Sequence, residues 1–257
     1  MSYQNIFKRY EVKYLITKEE KKALIKIMDE YMMSDEYGES CISNIYFDTP
    51  DKLLIRRSLE KPCYKEKLRM RSYGIVNSND KIFIEIKKKY KDIVYKRRMD
   101  LEEKTAMKYM IDHIPLLNQT QISKEIDYLM YAYRNMEPSV FIAYNRQAFF
   151  SKSDKNFRMT FDENIFIRDY DLALNLGIYG ERILHEDRVI LEVKTVLGLP
   201  KWLLDFLSEN LIYKTSFSKY GNAYTSIILP KTLENLSITK NNIIQKTNGM
   251  GSVENVA

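Results

Sequence analysis

At 257 residues, 45% of them hydrophobic, the chain is long enough to bury a sizeable core, as one large domain or two small ones. Its 41 Lys+Arg against 35 Asp+Glu leave a net charge of +6, which points to a polyanionic partner without choosing among nucleic acid, phosphate compounds and lipid headgroups. Cys41 and Cys63 are the only cysteines, which rules out a disulfide framework, and no apolar run approaches the roughly 20 residues of a membrane-spanning helix.

The first predicted strand is "RYEVKYLI", with Arg9, Glu11 and Lys13 on one side and Tyr10, Val12 and Tyr14 on the other. "TKEEKKALIKIMDEYMM" follows as a helix: Thr17 and Glu20 form a capping-box pattern, and Ala23, Leu24, Ile27, Met28 and Tyr31 recur at helical spacing. "SNIYFDTP" adds a strand with Tyr46 and Asp48. In "EKLRMRSYG", Lys67, Arg69, Arg71 and Tyr73 face away from Leu68 and Met70. "KIFIEIKKK" sets Phe83, Glu85, Lys87 and Lys89 against Ile82, Ile84 and Ile86, and "IVYKRRMDL" sets Lys96 and Arg98 against Tyr95, Met99 and Leu101.

Two helices come next, "LEEKTAMKYMIDHI" and "SKEIDYLMYAYRNM", parted by the region of Pro115. Strands resume with "YNRQAFF" (Tyr144, Arg146), "FRMTFDENI" (Arg158, Thr160 and Asp162 against Met159 and Phe161) and "VILEVKT" (Ile190, Glu192 and Lys194 against Val189, Leu191 and Val193). "PKWLLDFLSENL" opens a helix at Pro200, and "SKYGNAYTSIIL" reads as a shorter last one. No linker interrupts this order, so residues 1–230 are expected to form one domain. The polar, Asn-rich stretch 231–257 is expected to be a flexible tail. The amino-terminal residues lack the apolar core of a signal peptide, and the expected location is the cytoplasm.

A single strand with one charged face is ordinary, because antiparallel sheets commonly leave one face in water. Here the pattern recurs in at least six segments, with Arg and Lys at strand centres and with Glu85 and Glu192 each two residues before a Lys on the same face. If the sheet closes into a barrel, the apolar faces pack outward under the helices and the charged faces line the interior. Interior cations are costly unless paired or met by a counter-ion. The expected ligand is therefore a multiply charged anion, its oxygens bridged to the carboxylates by a metal ion. No GxxxxGK[ST] loop, GxGxxG loop, zinc finger or RNP motif is present, which disfavours a P-loop enzyme or a nucleic-acid binder.

In order, Glu11-x-Lys13, "YFDT", "RMRSYG", "FIEIKKK", "KRRM", "YNRQAF", "RMTFD", "LEVKT…LPKWL" and "FSKYGNAY" resemble the vacuolar transporter chaperone (VTC) domain of the triphosphate tunnel metalloenzyme superfamily, from about Phe7 to Leu229. The resemblance implies an α+β fold: an eight-stranded antiparallel β-barrel tunnel with a basic interior, flanked by helices. It also implies polyphosphate polymerase activity, passing the terminal phosphate of ATP to a growing chain with Mn2+ or Mg2+. Carried over by position, Lys13, Arg69, Arg71, Glu192 and Lys219 would be catalytic. Lys67, Lys87, Lys96, Arg98, Arg146, Arg158, Lys194 and Ser218 would join Lys13, Arg69, Arg71 and Lys219 in binding phosphate. Glu192 would hold the metal, with Glu11 and Glu85 either assisting or pairing with neighbouring lysines.

The chain departs from the pattern in places. Arg9 stands where the wider superfamily has a first glutamate, and Ser216 stands where a lysine precedes Phe-Ser-Lys-Tyr, with Lys214 two residues upstream as a candidate replacement. The membrane helices of the eukaryotic members have no counterpart here, which leaves room for a separately encoded membrane partner. The alternatives are a hydrolase of tri- or polyphosphate or of nucleoside triphosphates, and a non-catalytic polyphosphate-binding module.

Overall fold

The computed structural model describes residues 10–91, 93–235 and 237–238. The described residues form ten strands: β1 (Tyr10–Thr17), β2 (Met32–Asp48), β3 (Tyr64–Tyr73), β4 (Lys81–Tyr90), β5 (Ile93–Glu102), β6 (Glu137–Ser151), β7 (Arg158–Arg168), β8 (Glu181–Arg182), β9 (Arg188–Thr195) and β10 (Lys214–Thr215). The helices are α1 (Lys18–Tyr31), α2 (Leu53–Leu59), α3 (Glu103–Met110), α4 (Gln121–Ala132), α5 (Lys201–Glu209) and α6 (Lys219–Ala223), the last running into a π-helical turn at Tyr224–Ile228. Among the described residues no helix is long and apolar enough to cross a membrane.

One antiparallel sheet runs in the order β10-β1-β9-β7-β6-β2-β3-β4-β5, with β8 paired to β7 off that path. The expectation of a closed eight-stranded barrel is corrected here. Among the described residues there are ten strands, and the path ends at β5 on one side and at the two-residue β10 on the other, without backbone pairing between them. So short a terminal strand offers too few hydrogen-bonding groups to zip the ten-residue β5 against it. The ends nevertheless curl towards one another, as a strongly twisted sheet does. An ion pair stands across the gap, Lys87 Nζ on β4 lying 3.6 Å from Glu11 Oε2 on β1.

The helices cover two regions of the sheet's outer face. Ala106, Tyr109 and Met110 of α3 and Ile126 and Leu129 of α4 pack on Leu68, Met70, Ile82, Ile84 and Ile86. Leu24 and Met28 of α1 and Leu203, Phe206 and Leu207 of α5 pack on Met159, Phe161, Val189, Leu191 and Val193. The apolar strand residues predicted to face helices do so. A third cluster lies on the opposite face, where α6 and the π-turn press Tyr220, Ala223 and Ile227 against Tyr46, Ile142, Tyr144 and Ile190.

Local chemistry accounts for the helix boundaries. Glu20 N donates to Thr17 Oγ1 at 3.1 Å and Thr17 N to Glu20 Oε2 at 2.6 Å, completing the capping box read from sequence. Thr120 and Ser123 repeat that device, so α4 starts two residues before the predicted segment. Helix α2 was not predicted. Its seven residues are too few to show a periodicity, and its first N–H groups are satisfied from outside: Leu54 N and Ile55 N donate to the buried Asp48 carboxylate at 2.8 and 3.0 Å. Residues 229–235 continue helically, and Lys231 Nζ reaches Asp169 Oδ1 at 2.9 Å, tying the first residues of the expected tail to the domain. Residues 236 and 239–257 of that tail, and Arg9, lie outside the described residues.

Candidate phosphate-binding site

Strand register decides which side chains share a face. Residues opposite one another in an antiparallel pair project to the same side. Arg69 lies opposite Glu85 and Tyr46, Arg71 opposite Phe83 and Asn44, and Lys67 opposite Lys87. Glu85 and Lys87 lie opposite Arg98 and Lys96. On the other limb Arg146 lies opposite Asp162, Thr160 opposite Glu192, and Glu192 opposite Lys13. The sheet thus brings the predicted site residues from β1, β3, β4, β5, β6, β7 and β9 onto one curled face.

They form three ion-pair groups. Glu85, 1% exposed, accepts from Arg69 Nε and Nη2 at 2.9 and 2.7 Å, and Lys96 Nζ lies 2.7 Å from its other oxygen. Arg71 and Arg98 approach the same carboxylate to 3.8 Å. Although burial pushes this carboxyl up, Arg69, Arg71 and Lys96 overcome it and hold the pKa at about 2. The second group centres on the fully buried Asp162, which receives Arg146 in a two-pronged contact at 2.6 and 2.7 Å and also Lys219 Nζ. Burial again raises the carboxyl, and Lys219 and Arg146 bring it down to about 2. In the third, Glu192 pairs with Lys194 Nζ at 2.7 Å and Lys13 Nζ at 3.6 Å, and Lys13 stands 3.6 Å from Glu11. Despite its burial, Lys194 and Lys13 hold Glu192 well below the ordinary range, while burial lowers Lys13 less than Glu192 and Glu11 raise it.

Polar side chains stitch the groups together. Arg71 Nε donates to Asn44 Oδ1 at 2.9 Å and its Nη2 to Tyr144 OH at 3.3 Å, while Lys219 Nζ lies 4.2 Å from the centre of the Tyr144 ring. Arg69 Nη1 donates to Tyr46 OH at 2.8 Å. Burial pushes the Tyr46 phenol up, but Arg69, Lys67 and Arg71 together bring it down to about 7. Lys67 Nζ donates to Ser218 Oγ at 3.1 Å. Burial is the main reason its pKa falls to about 8; Tyr46 opposes the fall and Lys87, Lys65 and Lys13 add to it.

Ser218 also caps α6, accepting from Gly221 N at 3.1 Å, so the position of Lys219 follows from the start of that helix. Arg158 shares the face but turns to its edge, 3.5 Å from Asp35 and over the Phe150 ring. Lys214 does not replace the lysine expected at Ser216. It is paired with Tyr14 and so projects to the face opposite Lys13, whose partner is Thr215. Sequence reasoning placed Asp162 on the correct side of its strand and gave it no role. The alternation with Arg158 and Thr160 was the available signal, and the contact with Lys219, 57 residues away, was not in it.

Among the described residues no group of three or more His, Cys, Asp and Glu side chains gathers into a metal cluster. The donors present nevertheless fit an ion that arrives with its phosphate ligands, since magnesium-type ions are commonly held by one or two carboxylates plus substrate oxygens. Glu192 is the best-placed donor, and opposite it the buried Thr160 Oγ1 has no hydrogen-bond partner. Glu85 fits less well, because four cations, Arg69, Arg71, Lys96 and Arg98, already surround its carboxylate, against two at Glu192.

The family described as VTC domain matches residues 8–228 of the chain. None of the curated proteins matches significantly. Among solved structures, a putative adenylate cyclase from Bacillus halodurans is similar at a TM-score of 0.51 and 14% identity, over 81% of this chain and 92% of its own. A Hippeastrum protein, described as a putative adenylyl cyclase with a dominant triphosphatase activity, is similar at a TM-score of 0.50 and 15% identity, over 84% of this chain and 94% of its own. At such identities the likeness is one of fold.

Proposed function

The chain belongs to the VTC domain family, and from that premise we propose that it is a metal-dependent polyphosphate polymerase, transferring the terminal phosphate of ATP to a growing polyphosphate chain held against the curled basic face. One observation carries the reading. Lys67 stands directly opposite Lys87, and Lys87 directly opposite Lys96, in a register where like charges repel. Such a row is tolerable when a linear polyanion lies along it.

Each residue has work suited to its chemistry. Phosphoryl transfer needs little covalent help, and positioning with charge neutralisation does most of it. Arg69, Arg71 and Arg146, held flat by Glu85, Asn44 and Asp162, present guanidinium forks that orient phosphate oxygens. Lys13, Lys67, Lys87, Lys96, Lys194 and Lys219 act as point charges, and Ser218 offers a hydroxyl beside Lys67. Glu192, with Thr160, would hold the divalent ion, Mn2+ or Mg2+, which when bound neutralises charge on phosphate oxygens as a Lewis acid. Arriving phosphate takes over Lys13 and Lys194 and leaves Glu192 free to do so.

A second reading, hydrolysis of tri- or polyphosphate with water as acceptor, is favoured by the fold shared with the Hippeastrum protein and its described triphosphatase activity. The deciding experiment incubates the protein with γ-labelled ATP and Mn2+ or Mg2+ and resolves the products on a gel, beside Glu192→Ala. A ladder of labelled chains that disappears in the variant is the expected result. Orthophosphate alone, lost in the variant, establishes the hydrolase, and binding without any product leaves a polyanion-binding module.

A further inference from the structure

Past the phosphate-binding cations, the curled face ends in aromatic surface. Tyr73 lies on β3 two residues beyond Arg71 on the same side, about 7 Å further along the strand, and half its surface is exposed. Phe83, directly opposite Arg71, meets the Tyr73 ring edge to face, with centroids 5.8 Å apart and planes at 80°. The Arg98 guanidinium carbon sits 3.3 Å from the Phe83 centroid and 5.8 Å from that of Tyr73, and its Nε is 3.8 Å from Glu85. A cation stacked on one ring, with a second ring half exposed beside it, forms a shelf next to the strand positions of Arg69 and Arg71.

We propose that Tyr73, Phe83 and Arg98 form a subsite for the nucleobase of a nucleoside triphosphate whose phosphates lie on the neighbouring arginines. The proposal rests on the reading of this face as a triphosphate site. A flat heteroaromatic base stacks on the free face of Tyr73 and against the edge of the Arg98 plane, contacts that are indifferent to base sequence and absent for inorganic triphosphate. Glu85 keeps Arg98 oriented by its charge, so the base and phosphate portions of the ligand are read by adjoining parts of one network. The site thereby distinguishes nucleotide donors from inorganic polyphosphate, and purines, having the larger π surface, bind better than pyrimidines.

Calorimetric titration separates the two halves of the ligand without requiring turnover. ATP and inorganic tripolyphosphate are titrated into the intact chain and into Tyr73→Ala, Tyr73→Leu and Tyr73→Phe. The expected result is a loss of at least about fivefold in ATP affinity for the Ala and Leu variants, the lower end of what base–aromatic stacking contributes. Tripolyphosphate affinity stays unchanged, and the Phe variant behaves as the parent. The Leu variant keeps apolar packing on Phe83 and covers the case in which Ala fails to fold. Equal weakening of both ligands, or no weakening of ATP by Tyr73→Leu, overturns the subsite. A chain that makes no polyphosphate yet shows the selective loss for ATP refutes the polymerase reading and keeps the base subsite.

Discussion

Asp162→Asn is the sharpest probe of how the charged face is held together. The side chain is fully buried and is the shared counter-charge of Arg146 and Lys219. Its pKa of about 2, against an ordinary 3.8, corresponds to about 2 kcal/mol favouring the charged form in the folded state. Asparagine keeps the shape, removes the charge, and turns a donor towards cations that already donate. Breaking a buried pair from one side costs about 3–5 kcal/mol, because the partners stay buried and uncompensated. In a chain of this size that lowers the melting temperature by on the order of 10 °C. Tripolyphosphate supplies the missing negative charge, so it should raise the melting temperature of the variant by more than that of the parent. Differential scanning calorimetry with and without tripolyphosphate measures both numbers. A variant that melts within about 2 °C of the parent without anion refutes the assignment of Asp162 as the neutralising centre.

Two further perturbations follow from the titrating groups. Glu85 has a folded-state pKa of about 2 against an ordinary 4.5, so its stabilisation is fully present above the ordinary value and is lost as pH falls towards 2; Glu85→Gln should flatten the decline in stability across that window, and an unchanged slope in acid denaturation would count against it. Lys67, depressed to about 8, is partly neutral at mildly alkaline pH, and a bound polyanion restores its proton; tripolyphosphate binding near pH 8.5 should therefore take up protons, detected as a buffer-dependent binding enthalpy, and Lys67→Gln should reduce the uptake, although Tyr46 retains a share.

The alternation of charged and apolar residues made the strands legible, and with them the faces on which Lys67, Arg69, Arg71, Glu85, Lys96, Arg98, Arg146, Glu192 and Lys194 stand, because side-chain direction in a strand is a local property of period two. The capping box at Thr17 was legible for the same reason: its partners are three residues apart. Helix α2 was not, because the carboxylate that satisfies its first turn belongs to the preceding strand and its seven residues carry no periodic signal. Lys214 looked like a substitute for the lysine missing at Ser216 until its pairing with Tyr14 put it on the other face, since register is set by the partner strand.

By itself the sequence determined which side of each strand is charged and which segments form most of the helices, both consequences of residue type and near-neighbour spacing. Tertiary structure alone decided that ten strands form an open sheet bridged across its gap by Lys87 and Glu11. It also decided that Glu85 receives Arg69, Asp162 receives Arg146 and Glu192 receives Lys13, each from another strand, and that α6 brings Lys219 onto Asp162. Those outcomes depend on strand order, on register and on the docking of a helix from the far end of the chain. Each is a contact between residues distant in sequence, whose energy appears only once the curl of the sheet has brought them within reach.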